Sequence, residues 1–443
     1  MSEWHVVTTS VELLEALDKQ SERIEVRGTL SGLPPITLPA GVRLRGGTLE
    51  FDAKGVRLTR DNSLEDIDIR CDRKEIAVGN STLEADFGTL ALRGVRTVGQ
   101  VLLLARDQVR AGHLVVQGLA VQDADVRGRS DRPEGGPTGN YVEVIQGAFT
   151  AWNMQTDPAV RITAELLDIE AGTAQRPVDG VGVFVSGHGR YGHDGGSLVV
   201  STLRTGEIHA RGGITEGNPA LLGGGVFVIS GAKIDEVVND GPVTTYGPND
   251  MVLDNWSQVT TWRVGAPITS HGPSGIGFVN FGDIDRLQVD GPIVTFGSGA
   301  RGFNLYDGSI RHASFVSITT HGDGAVGIQV SIPLPVLEVH GNLTTSGGEA
   351  RSLVRGVQVP LKAIALSVKP GGRIGRFSCD GRITSRGDDM VTVEIAGTVG
   401  RFEATGGIAA EGARSDAVHV HGEVPGLDTV EITAADGRAK VAV

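Results

Sequence analysis

Five glycines, Gly247, Gly272, Gly297, Gly322 and Gly347, fall at one constant interval. Each closes a run of small or β-branched residues (VTTYG, ITSHG, IVTFG, ITTHG, LTTSG), and the position just before the glycine varies. Between these phrases stand short runs rich in Val, Ile, Thr and Phe, separated by Gly, Pro, Asn and Asp, the pattern of strand, turn, strand, turn. A repeat of about 25 residues is too short for a propeller blade, and this one lacks the leucine and asparagine signature of leucine-rich repeats. It fits one coil of a solenoid in which equivalent residues stack at the spacing of paired strands, about 4.8 Å. The glycine is expected to make a tight, φ > 0 turn, with the residue before it pointing outward. The two residues before that, such as Thr244-Thr245, Thr269-Ser270 and Thr319-Thr320, are expected to form one exposed and one buried ladder of hydroxyls.

The phrase recurs as ITEG, ending at Gly217, as ITSRG, ending at Gly387, and as AAEG, ending at Gly412. The intervals from Gly217 to Gly247 and from Gly347 to Gly387 are longer than the rest, and the surplus reads as loop insertions on a constant coil. This repeat resembles the right-handed parallel β-helix, or pectin-lyase-like, superfamily over most of the chain. The resemblance implies an all-β fold, a single right-handed parallel β-helix solenoid with coils of about 25 residues. A short N-terminal helix is expected in TTSVELLEALDKQ, with Ser10 as N-cap and Val11, Leu13, Leu14 and Leu17 on its apolar face. It would cap the open end of the stack. One domain, 1–443, is expected: strand and cap helix in 1–22, coils in 23–430 and a C-terminal cap in 431–443.

Gly is abundant at 65 residues and aromatics are scarce at 5%, as turns and aliphatic stacks require. The net charge of −13 argues against nucleic acid and anionic membranes as partners, and weakly against a polyanionic substrate. Cys71 and Cys379 lie too far apart in sequence for a bridge between neighbouring coils, so two free thiols are expected. No signal-peptide pattern or long apolar run is present, which reads as cytoplasmic, or as secreted if a leader has been removed.

All four tyrosines and three of the four tryptophans fall between 141 and 306, beside the non-repeating stretches RGRSDRPEGGPTGN and SGHGRYGHDGG. A solenoid core needs neither feature, so this region is the expected binding surface. Aligned through Ile234, Val259, Ile284 and Ile310, one column holds Ile229, Asp254, Val279 and Leu305. The column two residues on holds Gly231, Trp256, Phe281 and Asp307. With Val228, Leu253 and Phe278 inward, both columns face outward. Asp254 and Asp307, with Glu143 as third carboxylate, are the catalytic candidates; Trp256, Phe281 and Tyr306 form a stacking platform for sugar C–H faces. Tyr246, His271, Phe296 and His321 make a second ladder, with Tyr246, His271 and His321 as substrate-binding candidates. His188 and His193 are further binding candidates. GHG resembles a fragment of the polygalacturonase pattern, but that family's other motifs do not stand in order, and it is not assigned. No metal or other cofactor is expected.

These readings point to a carbohydrate-active enzyme, a glycoside hydrolase or glycosyl-transferring enzyme acting on an oligo- or polysaccharide by carboxylate acid–base chemistry. One rival is a lyase or epimerase, with Arg301 and Arg311 flanking the face to neutralise a uronate. Another is a non-enzymatic adhesin, spike or scaffold. A homotrimer packed along its sides, with Phe281 or Trp256 at the interface, is the expected assembly.

Overall fold

The computed structural model describes residues 3–131, 143–189, 195–354 and 357–443. The chain is nearly all-β, its strands lie in long parallel sheets consistent with a β-helix solenoid, and its contacts group into two compact units. The first contains Met1–Gly136, Val144–Arg211 and Phe227–Glu236; the second contains Pro137–Glu143, Gly212–Val226 and Val237–Val443.

In the first unit, Ile24, Leu44, Leu64, Leu92, Val116, Leu166 and Leu203 pair in turn across seven parallel strands. All seven are at most 1% exposed, so one aliphatic column runs through the core. Burying each such side chain contributes about 1.5–3 kcal/mol. The spacing along this column is uneven, short from Ile24 to Leu44 and far longer from Val116 to Leu166. The helix Ser10–Asp18 starts one residue earlier than expected in capping terms: Thr9 is the N-cap, and its side chain and Glu12 form a reciprocal capping box. Leu13, Ala16 and Leu17 are buried, whereas Val11 is exposed. At the other end of this unit Asp179, 3% exposed, receives Arg73, Arg127 and Arg211, and Arg73 and Arg127 also reach Asp125.

The second unit carries the regular repeat. Val243, Ile268, Ile293, Ile318, Leu343, Ile383 and Ile408 pair successively in parallel register and are buried. Thr245, Ser270, Thr295, Thr320, Thr345 and Ser385 form the buried hydroxyl ladder, while of the ladder expected to be exposed Thr269 and Thr319 are half-exposed and Thr244 is buried. The glycine row owes its identity to close approach rather than to positive φ. A Cβ on Gly272, Gly297, Gly322 or Gly347 would collide with the carbonyl of the preceding glycine in the row. Positive φ occurs two residues later, at Asn249, Ser274, Gly299 and Gly324. The side chains before the glycines do point outward: Tyr246, His271, Phe296 and His321 stack ring on ring at 5.2, 5.1 and 4.9 Å between centroids.

The longer interval from Gly347 to Gly387 accommodates a two-stranded antiparallel hairpin, Glu349–Val354 and Val357–Lys362, which forms its own small sheet. Inside this unit Trp262 packs edge-on against Phe278 and donates its indole N–H to Asn239 at 2.8 Å. Trp262 is therefore a core residue rather than part of a binding face. Asn255 donates to Asn280 at 2.8 Å, an amide ladder that satisfies buried turn carbonyls. Among the described residues no helix is long and apolar enough to cross a membrane.

Candidate functional site

Strands Asp250–Asn255, Ile276–Asn280, Arg301–Leu305 and Val326–Val330 pair in parallel. Their register places Asp254, Val279, Asn304 and Gln329 in one column. The sequence alignment puts Leu305 where Asn304 stands. Val259, Ile284 and Ile310 do align as anchors, but the extra residue of the third interval lies in the turn after the strand rather than before it. Asp307 is that extra residue. The aromatic column accordingly runs Trp256, Phe281, Tyr306, with centroids 6.1 and 5.4 Å apart.

Three rows of two thus make a patch: Asp254 with Trp256, Val279 with Phe281, and Asn304 with Tyr306. Phe278 packs on core Trp262, so the alternation of the strand turns Asp254 and Asn304 away from that core contact. The expectation of an open surface here is not met. Asp254 and Asn304 are 0% exposed, Trp256 3% and Tyr306 6%, with Phe281 half-buried. Burial without partners is the distinctive feature. Among the described residues, both carboxylate oxygens of Asp254, both amide atoms of Asn304 and Nε1 of Trp256 have no hydrogen-bond partner. Such groups each cost about 1–3 kcal/mol.

Desolvation drives the Asp254 carboxyl well above the usual carboxylate range, and the neighbouring Trp256 indole opposes the shift. The shift favours the neutral acid, which can donate one proton and accept at the other oxygen. Asp307 is half-buried in the turn after Tyr306, where its Oδ1 accepts from the N–H of Gly308 at 2.9 Å. By strand spacing it lies two rungs from Asp254, about 10 Å along the ladder.

The remaining candidates lie elsewhere. Glu143 opens the short strand Glu143–Ile145, half-buried, with its backbone N–H on the carbonyl of Ala220 at 2.7 Å. It does not share a register with Phe184, which pairs with Thr150. His188 is half-buried with Nδ1 lacking a partner, and its backbone N–H is held by the Gly196 carbonyl at 2.8 Å. His193 lies outside the described residues. His271, sandwiched between Tyr246 and Phe296, has its pKa lowered by burial. Arg311 is exposed and pairs with Asp285. Arg301 is 1% exposed beneath the hairpin, donating to Ser352 Oγ at 2.8 Å and to the Leu353 carbonyl at 3.0 Å. Neither arginine flanks an open face.

Asn304 is the residue that sequence reasoning missed. Its signal is in the sequence, since Asp254, Val279 and Asn304 follow one another at the interval of the glycine row. Among the described residues no group of three or more His, Cys, Asp and Glu side chains is placed to hold a metal ion. No protein-family model, no curated protein and no solved structure matches this chain, so the site is defined by its own geometry.

Proposed function

We propose that this chain is a carbohydrate-active enzyme, a glycoside hydrolase or glycosyl-transferring enzyme, on a right-handed parallel β-helix of the pectin-lyase-like kind. In this reading coils of about 25 residues make up the regular part of the second unit, and the helix Ser10–Asp18 caps the stack. Asp254 is the general acid that protonates the departing glycosidic oxygen. Asp307 activates the incoming hydroxyl or water as the general base. Trp256, Phe281 and Tyr306 hold the sugar ring, and Asn304 takes its hydroxyls. A cytoplasmic location belongs to the same reading, and two unbridged cysteines are compatible with it.

The observation that carries this reading is the buried Asp254, without a side-chain partner among the described residues and with its carboxyl pushed above the usual carboxylate range, beside three aromatic rings. A general acid needs a raised pKa, and desolvation is the physical means of raising it. The test is product analysis after incubation with neutral and acidic oligosaccharides, comparing wild type with Asp254→Asn. Reducing-end release lost in the variant supports hydrolysis. Products absorbing in the ultraviolet as unsaturated sugars would move the assignment to elimination.

The complete burial of Asp254 favours a second reading, in which the face is closed and the chain is a non-enzymatic scaffold. Wild-type protein inert towards every glycan in such a panel would favour that reading.

A further inference from the structure

A cleft of about 480 Å³ opens on the first unit, within the roughly 300–1,000 Å³ of small-molecule sites. Its base is the parallel run Ile36–Thr37, Val56–Leu58, Ile76–Asn80 and Gln100–Ala105. In the strand Gln100–Ala105, Val101, Leu103 and Ala105 are buried, which turns Leu102 and Leu104 outward as half-exposed aliphatics. Register places Arg57, Gly79 and Leu102 side by side. Gly79 supplies no side chain, so a notch separates the guanidinium from the leucine.

The charge of the lining is one-sided. Lys54, Arg57 and Arg106 border the cleft and, among the described residues, no Asp or Glu does, although the chain as a whole carries −13. Arg106 is shared with Asp107 at 3.4 Å, whereas the Lys54 ammonium and the Arg57 guanidinium have no ion-pair or hydrogen-bond partner among the described residues. Unpaired cations beside two outward leucines form a receptor for an anionic head on an aliphatic body. The planar guanidinium suits the two oxygens of a carboxylate or phosphate, while the leucines desolvate the carbons behind it. We propose that this cleft binds a small amphiphilic anion, an aliphatic carboxylate or phosphate monoester, with Arg57 and Lys54 on its head and Leu102 and Leu104 against its chain. This site is independent of the chemistry assigned to Asp254.

The test is calorimetric titration of the full chain with hexanoate, hexyl phosphate and 1-hexanol. At least one of the two anions should bind saturably, hexanol should bind about tenfold or more weaker, and affinity should fall with salt. Preference between the two anions identifies the head group. Lys54→Gln with Arg57→Gln should cost about tenfold or more, and Gly79→Leu should block the notch and abolish binding with every charge still present. Gly79 is not at positive φ, and a Cβ there approaches only Ile76 Cγ2 at 3.2 Å and the Leu102 carbonyl at 3.4 Å, so a folded variant is expected. Equal binding of hexanol, no saturable binding of either anion up to about 10 mM, or full affinity in both variants would overturn the proposal.

Discussion

Asp254 and Asn304 occupy one column of the strand ladder two rungs apart, with Val279 between them, and all four of their side-chain polar atoms are buried without a partner among the described residues. Nothing in the packing of the repeat requires this. The intervening rung shows that valine satisfies the position, so the polar residues are retained at a cost to stability. Residues that burden stability and serve no packing role are those a functional site accounts for.

That cost is measurable. Asp254→Val copies the side chain of the next rung, and it should stabilise the protein by about 1–3 kcal/mol, because an unpartnered buried acid is replaced by a group the site already accepts. Asn304→Val should act in the same direction. Chemical denaturation of the variants against wild type checks both, and a loss of stability would mean that these polar groups do structural work.

The pH profile should show two limbs of opposite sign. Asp254 has a folded pKa raised above its unfolded value, so its stability contribution is full below about pH 4 and declines as pH rises towards the folded pKa. Asp125 is the reverse: the Arg127 guanidinium holds it down to about 2, so its contribution is present above about pH 4 and is lost as pH falls through that range. Thermal unfolding of Asp125→Asn should therefore lose part of the acid limb, and Asp254→Asn part of the alkaline one.

Much of the second unit was legible in the sequence because its coils repeat at one interval. The glycine row, the hydroxyl ladder and the outward ring column all follow from that period. What a period cannot convey is what covers an outward face, which is why Trp256 and Tyr306 read as surface residues and prove buried. A single inserted residue, Asp307, also displaced two columns by one position, and with period-two strands one position decides the neighbour. In the first unit the paired residues lie at unequal separations along the chain, so the aliphatic column from Ile24 to Leu203 had no fixed interval to betray it.

The glycine row makes its own prediction. Gly297→Ala would drive a methyl into the carbonyl of Gly272, and overpacking of this kind costs about 1–3 kcal/mol or more. Gly128→Ala meets nothing within 4 Å and lies outside the positive-φ set, so it should change stability by less than about 0.5 kcal/mol. Denaturant midpoints of the two variants separate close approach from generic glycine loss.

The thiols should be sluggish. Burial pushes both Cys71 and Cys379 up to about 12, and Cys379 lies in a core column between Val339 and Ala404. Alkylation of native protein at pH 8 should be far slower than alkylation in denaturant, since the thiolate is the reactive form. Rapid native labelling of either cysteine would contradict this burial.

The central claim is that Asp254 is a protonated acid at neutral pH, poised for donation. Infrared difference spectra of wild type minus Asp254→Asn at pH 7 test it most directly. The account predicts a carboxylic-acid C=O band that disappears in the variant and persists until well above pH 4. A carboxylate band in its place would show Asp254 ionised at pH 7 and would remove the proton donor on which the proposed chemistry depends.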